Sequence, residues 1–196
     1  PESVKLAKTI ADESTVLLKN ENQLLPLDAK SLKSIAIIGP NADQVQFGDY
    51  TWSRNNKDGV TPLQGIKNRV NKNTAIHYAK GCSLTSLDTS GIAEAVEAAK
   101  NSEVAVIFGG SASAALARDY KSSTCGEGFD LNDLNLTGAQ SQLIREVYQT
   151  GTPVILVLVT GKPFVIEWEK NNLPAILVQW YAGEQAGNSI ADILFG

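Results

Sequence analysis

The run PVILVLVT at residues 153–160 decides the fold class, because it has the length of one strand and is apolar at almost every position. A strand buried on both faces has this composition, and such strands occur in parallel sheets. Similar or alternating runs predict four further strands: Ser34–Gly39, Ala75–Ala79, Glu103–Gly109 and Ala175–Trp180.

Helical patterns separate these strands. Apolar residues recur at intervals of three and four in four segments: Leu63–Val70, Gly91–Lys100, Thr137–Gln149 and Gly187–Leu194. Alternation of strands and helices is typical of a doubly wound α/β sandwich. We therefore predict an α/β fold with a mostly parallel, doubly wound sheet sandwiched by helices, in a flavodoxin-like layer architecture.

Two long connections interrupt this pattern. Loop one (residues 40–59) follows the first of these strands, and loop two (residues 111–133) follows the third. Most such connections take about 2–6 residues, and unusually long loops are where these folds place their chemistry. Ligands bind at the carboxyl ends of parallel strands, where the strand order reverses. If the order begins 2-1-3, the two loops meet over one crevice.

Composition excludes two classes of partner. The net charge is −4 with a sequence pI near 5.1, and no run of Lys and Arg with interleaved aromatics occurs, so we expect no nucleic-acid partner. No stretch approaches the roughly 20 apolar residues of a membrane span, so we expect no membrane partner.

The first 33 residues are predicted to be an initial helix and linker, and residues 34–196 the sheet and helices of a single α/β sandwich domain. Apolar residues at helical spacing run through Pro1–Leu18 and leave one apolar face that needs a cover. We expect the chain to be a domain of a longer protein.

Few residues here suit metal or disulfide chemistry. His77 is the one histidine and alternates with apolar neighbours as a strand residue does, so we predict no metal site and no cofactor. Cys82 and Cys125 fit two separate thiols better than one bridge, although both arrangements remain open.

Several catalytic motifs are absent. The run GGSAS at residues 109–113 is not G-x-S-x-G, which argues against a nucleophilic serine. Neither a phosphate-binding loop nor a dinucleotide fingerprint is present.

Carboxylates and aromatic rings remain. Loop one contains Tyr50 and Trp52, and loop two contains Glu127 between two glycines. Aromatic rings stack on sugar faces, and a carboxyl group can protonate a glycosidic oxygen. Among these residues, Glu127 is the best catalytic candidate. From the residues alone, however, the interpretation of Glu127 as a solvated residue of a mobile loop is favoured over a catalytic role.

Structural alternatives also stand beside the other candidates. Asp130 and Asp133 suit turns, and Asp133 also suits the entrance to the next helix. Glu184 favours the N-terminus of the last helix electrostatically. Asp49 remains ambiguous, and Trp52 fits partial exposure better than burial.

The ordered motifs of this chain resemble those of the C-terminal α/β sandwich domain of family 3 glycoside hydrolases, the β-glucosidase and β-xylosidase family. They extend over nearly the whole chain: ADESTVLLKN (11–20), LLPL (24–27), IAIIGPNA (35–42), GDYT (48–51), TPLQGI (61–66), YAKGC (78–82), EGFD (127–130), LNLTGAQ (134–140) and GEQAGNSIADILFG (183–196).

The resemblance implies a retaining exo-acting β-glycosidase, with β-glucosidase the expected type, acting on a β-linked oligosaccharide or glycoside. It implies that Glu127 is the general acid/base, that Tyr50 and Trp52 line the sugar site, and that Asp130 binds substrate or orients the loop. The nucleophile would lie on an N-terminal (β/α)₈ barrel that these residues do not include, so the isolated chain is expected to be inactive. A secreted or periplasmic location is the family-level expectation.

Two departures weaken this transfer. Leu131 stands where family members commonly have Arg, and Gln185 stands where a second glutamate is common. A non-catalytic sugar-binding or interaction module with the same fold is the alternative function, and a flavodoxin-like nucleotide binder is a weaker third.

Overall fold

The computed structural model describes residues 2–53, 55–113, 124–128 and 131–196. Within these residues the sheet comprises β1 (Val16–Asn20), β2 (Ser34–Ile38), β3 (Ala75–Ala79), β4 (Val104–Gly110), β5 (Val154–Thr160) and β6 (Ala175–Trp180). The α-helices are α1 (Glu2–Ser14), α2 (Pro62–Arg69), α3 (Ile92–Lys100), α4 (Gln140–Tyr148), α5 (Glu167–Asn172) and α6 (Ala186–Phe195). Short 3₁₀ turns lie at Glu21–Gln23, Asn56–Asp58 and Gly183–Gln185.

The strand order is β1-β6-β5-β4-β2-β3, and every neighbouring pair except β1–β6 is parallel. The predicted α/β fold is confirmed, and so is the reversal of strand order beside β2. Because β2 lies between β3 and β4, loops one and two leave the same edge of the sheet from adjacent strands.

Apolar residues on both faces of the sheet create two separate cores. Alternate residues of β2 enter opposite layers: Ile35 and Ile37 pack in the layer under α2 and α6, whereas Ala36 and Ile38 pack in the layer under α3 and α4. The central strands β4 and β5 are buried along their entire length. This two-sided burial explains why their sequences are continuous apolar runs.

The helical pattern predicted through Pro1–Leu18 is wrong beyond Ser14, where α1 ends. Residues 16–20 form the strand β1 instead. The Thr15 hydroxyl donates to the carbonyl of Ala11 (3.0 Å) where the helix stops. Val16 then pairs antiparallel with Val178, so the backbone of β1 hydrogen-bonds to the edge of β6. Part of the predicted linker therefore belongs to the sheet.

Helix α2 begins at a local signal and packs closely against α6. Thr61 is the N-cap, its hydroxyl accepts the Gln64 N–H (3.2 Å), and Pro62 occupies the first turn. Where the helices cross, Gly65 lies against the Gly187 carbonyl, and a Cβ added to Gly65 would come within 1.9 Å of that oxygen. The two glycines thus set the spacing between the helices.

Both cysteines are free and buried, which confirms two separate thiols. Burial raises the pKa of the Cys82 thiol to about 11, so this thiol stays protonated at neutral pH. His77 lies in β3 as predicted. In the part of the chain that the structure describes, each helix is too short or too polar for a membrane span.

Gly65→Ala should destabilise the domain by about 2 kcal/mol or more, because the added methyl group forces α2 and α6 apart. In an uncrowded helix the same change would instead stabilise by up to about 1 kcal/mol. Urea unfolding measures the difference. Gly48→Ala is the matched control, since its Cβ would meet its nearest neighbour at 3.9 Å, and a stabilised Gly65→Ala variant would contradict the packing argument.

Candidate functional site

Asn41 connects the two loops at their bases. It is completely buried, its backbone N–H donates to the carbonyl of Phe108 (3.1 Å), and its side-chain amide donates to the carbonyls of Gly109 (3.2 Å) and Ser111 (3.3 Å). Its side-chain oxygen accepts a hydrogen bond from Gln46 (2.8 Å). One side chain therefore fixes the start of loop one to the carboxyl end of β4.

The loops meet again farther from the sheet. The backbone N–H of Glu127 donates to Oδ2 of Asp49 at 2.7 Å, a contact between residues 78 positions apart in the chain. Glu127 itself is exposed to solvent. The predicted crevice thus presents a solvent-facing carboxyl group at the point where loop one supports loop two.

Tyr50 and Trp52 lie beside this contact, in the same short segment as Asp49. Tyr50 is 78% exposed and Trp52 is 101% exposed. Tyr50 also has a positive φ of 65°, a conformation that residues other than glycine rarely adopt. The segment therefore holds two large aromatic rings in solvent at the edge of the sheet where ligands of doubly wound folds bind.

An open groove of about 820 Å³ lies next to Trp52. Phe47 supplies a further aromatic ring to its wall, and Lys57, Asp58 and Glu184 supply charged groups. Glu184 lies just before α6, where its backbone carbonyl accepts the Val60 N–H (2.9 Å), and it also lines this groove. The electrostatic role predicted for its carboxylate stays a prediction.

A largely buried polar cluster that the sequence analysis missed lies at the base of loop two. The Tyr181 hydroxyl contacts Oγ of Ser111 (2.7 Å) and Sγ of Cys125 (2.8 Å), and Ser111 also donates to the Thr160 hydroxyl (3.1 Å). Burial, followed by the contact with Cys125, raises the pKa of Tyr181, so its hydroxyl stays neutral. The position of Tyr181, just past the end of β6, was the signal that could have identified it.

Gln140 braces the same edge from helix α4. Its Oε1 accepts the N–H of Gly110 (2.8 Å), and its Nε2 donates to the carbonyls of Gly110 (3.1 Å) and Leu84 (3.1 Å). Thr137 donates to that same Leu84 carbonyl (2.6 Å). The motif LNLTGAQ at residues 134–140 therefore fixes the point where β4 ends and loop two begins.

Asp130 lies outside the described residues, so its predicted role stays a prediction. Asp133 accepts the N–H of Asn135 (2.8 Å), as expected of a turn residue. Among the described residues, no group of three or more His, Cys, Asp and Glu side chains is arranged to hold a metal ion.

Comparison with known families identifies the family to which this domain belongs. Residues 15–196 match the family described as the glycosyl hydrolase family 3 C-terminal domain. The chain belongs to this family. The resemblance inferred from the sequence motifs is thereby confirmed.

The relatives of this family 3 domain include two kinds of glycosidase. It is 40% identical to a β-xylosidase of Formosa agariphila over 198 residues, covering 98% of this chain and 26% of the relative. It is 37% identical to a periplasmic β-glucosidase of Salmonella typhimurium over 216 residues, with the same two coverages.

Solved structures agree with the fold of this family 3 domain. A β-glucosidase of Erythrobacter marinus superposes with a TM-score of 0.83 at 33% identity, over 100% of this chain and 28% of its own. An exo-β-xylosidase in complex with a xylobiose aziridine probe superposes with a TM-score of 0.85 at 30% identity, over 100% of this chain and 24% of its own. The chain thus spans about a quarter of the length of these relatives.

Gln140→Leu should destabilise the family 3 domain by about 2 kcal/mol, because it leaves the N–H and carbonyl of Gly110 buried without these partners. Urea unfolding checks this value. Gln142→Leu is the matched control on the same helix, since its side chain is exposed and donates to the exposed Glu146 side chain (2.8 Å). Equal effects of the two changes would argue against a bracing role for Gln140.

Proposed function

We propose that this domain completes the active site of a retaining, exo-acting β-glycosidase and supplies Glu127 as its general acid/base. The observation that carries the proposal is the placement of Glu127, exposed beside Tyr50 and Trp52 and held by Asp49 at the carboxyl edge of the sheet. That edge is where a doubly wound fold binds its ligands.

In this mechanism the Glu127 carboxyl first donates a proton to the glycosidic oxygen as the bond to the leaving group breaks. The resulting carboxylate then removes a proton from the water that hydrolyses the glycosyl-enzyme intermediate. Retention requires a second carboxyl group about 5–5.5 Å away to act as the nucleophile. We propose that a separate (β/α)₈ barrel domain on the N-terminal side supplies it.

The exposed rings suit the sugar. A pyranose ring presents apolar C–H faces, and Tyr50 and Trp52 offer large rigid surfaces on which such faces stack. We assign both residues to substrate binding. Asp130 takes the role implied by the family pattern, orienting loop two or binding substrate.

An exposed apolar surface on α1 and β1 supports the proposal that a partner domain packs here. Leu6 and Ile10 of α1 are 61% and 58% exposed, and Leu17 on the adjacent β1 is 52% exposed. Large apolar patches on a domain commonly mark a docking surface. We propose that the barrel domain of the same enzyme packs near these residues and so places its nucleophile opposite Glu127.

The relatives are named for more than one sugar, and they include both a β-xylosidase and a β-glucosidase. We retain β-glucosidase as the proposed type and treat β-xylosidase as the direct competitor. The periplasmic relative in Salmonella supports an exported enzyme, either secreted or periplasmic.

A non-catalytic sugar-binding module is the second candidate. The groove of about 820 Å³ beside the fully exposed Trp52 favours it, because sugar binding there requires no second carboxyl group. This candidate predicts measurable saccharide affinity without any hydrolysis by the full-length protein.

Glu127→Gln in the full-length enzyme should lower kcat on an unactivated β-glycoside by about 10²–10⁴-fold, because the amide cannot exchange the required protons. Steady-state hydrolysis measures the loss. Glu94→Gln is the matched control, an exposed glutamate on α3. Turnover near the wild-type level in Glu127→Gln would refute the assignment.

The isolated chain should hydrolyse neither aryl β-glucoside nor aryl β-xyloside, because it lacks the proposed nucleophile. Addition of a separately prepared barrel domain should restore hydrolysis. The ratio of the rates on aryl β-glucoside and aryl β-xyloside then shows which sugar the enzyme prefers. Activity of the chain alone would show that both carboxyl groups lie within it. If the chain and the barrel domain associate but the mixture hydrolyses neither substrate, the sugar-binding module is favoured.

A further inference from the structure

The described residues just before Glu127 are held by several hydrogen bonds. On the N-terminal side, the backbone N–H groups of Thr124 and Cys125 donate to the carbonyl of Ala112 (2.9 and 3.3 Å), and the Thr124 hydroxyl accepts the Ala112 N–H (3.1 Å). Cys125 also packs against the Tyr181 hydroxyl. The chain is therefore firmly anchored up to two residues before Glu127.

Glu127 stands between two glycines that both have positive φ angles. Gly126 and Gly128 have φ values of +129° and +69°, and a Cβ added to Gly128 would meet nothing within 4 Å. Because glycine permits a wide range of backbone angles, these two positions allow the backbone of Glu127 to change its orientation. Among the contacts of the described residues, the bond to Asp49 is the one that restrains the Glu127 backbone.

The two carboxylate oxygens of Asp49 have different surroundings. Its Oδ2 accepts the Glu127 N–H, whereas its Oδ1 is enclosed and has no hydrogen-bond partner among the described residues. An enclosed carboxylate oxygen without a partner is unfavourable, so its retention calls for an explanation. The positive φ of Tyr50 turns the chain directly after Asp49, which leaves the aspartate against loop two and the tyrosine in solvent.

We propose that Asp49 is a positioning residue that holds Glu127 in place for proton transfer by accepting a hydrogen bond from its backbone N–H. The inference rests on the proposed function, because it assigns Asp49 a role only if Glu127 is the general acid/base. Asp49 contacts no reacting atom in this mechanism. Its effect passes entirely through the backbone of Glu127.

The test uses the full-length enzyme with Asp49→Ala, Asp49→Asn, Glu127→Gln and the double variant Asp49→Ala/Glu127→Gln. Asp43→Ala is the matched control, because this loop-one carboxylate bonds to the Thr61 hydroxyl (2.8 Å) rather than to loop two. Thermal unfolding first establishes that each variant is folded. Turnover is then measured on aryl β-glycosides with poor and with activated leaving groups, the latter with and without azide.

Asp49→Ala should lower kcat on the poor leaving group by about tenfold to a hundredfold, the effect expected of a misplaced catalytic group. Azide attacks a glycosyl-enzyme without base assistance, so it should restore turnover of the activated substrate. Asp49→Asn keeps an oxygen acceptor and should retain most of the turnover. The double variant should be no slower than Glu127→Gln alone.

Other outcomes separate the two proposals. If Glu127→Gln is impaired but Asp49→Ala is not, the positioning role is wrong and the proposed function survives. Equal losses from Asp49→Ala in the wild-type and Glu127→Gln backgrounds, or failure of azide to restore turnover, would likewise overturn the positioning role. Full activity of Glu127→Gln would overturn the proposed function itself.

Discussion

The parallel pairing of β2 beside β4 is the constraint on which the rest of the molecule depends. Ile35 pairs with Val104 and Ile38 with Ile107, and both strands are buried on their two faces. A shift of one residue in this register would exchange the apolar residues between the two core layers. The pairing therefore fixes where each strand ends, and with it the point from which each loop leaves the sheet.

Much of this fold could be predicted from the sequence because burial on two faces leaves a strong local signal. The runs at β2, β4, β5 and β6 are nearly continuous apolar runs, and their bounds were predicted within a residue or so. The strand β1 could not be found in this way. Its Val16, Leu17 and Leu18 are exposed and continue the spacing of the preceding helix, and pairing with residues about 160 positions away decides their conformation.

The candidate site was predictable to a different depth. Long polar loops after two strands identified the neighbourhood of Glu127, Tyr50 and Trp52, and the structure shows all three exposed at that edge. The contacts that hold the loops were not predictable. Asn41, Tyr181 and Asp49 act on partners far away in the sequence, and neither the motifs around Asn41 and Asp49 nor the position of Tyr181 after β6 says which residues they contact.

The antiparallel pairing of β1 with β6 has a consequence for biosynthesis. Val16 emerges from the ribosome long before Val178, its partner in the sheet. The central strands β2, β3 and β4 can associate earlier, whereas β1 has no strand to join until β6 has been made. During translation the N-terminal segment is therefore an unpaired, apolar strand, and chaperone binding or early covering by a neighbouring domain would protect it from aggregation.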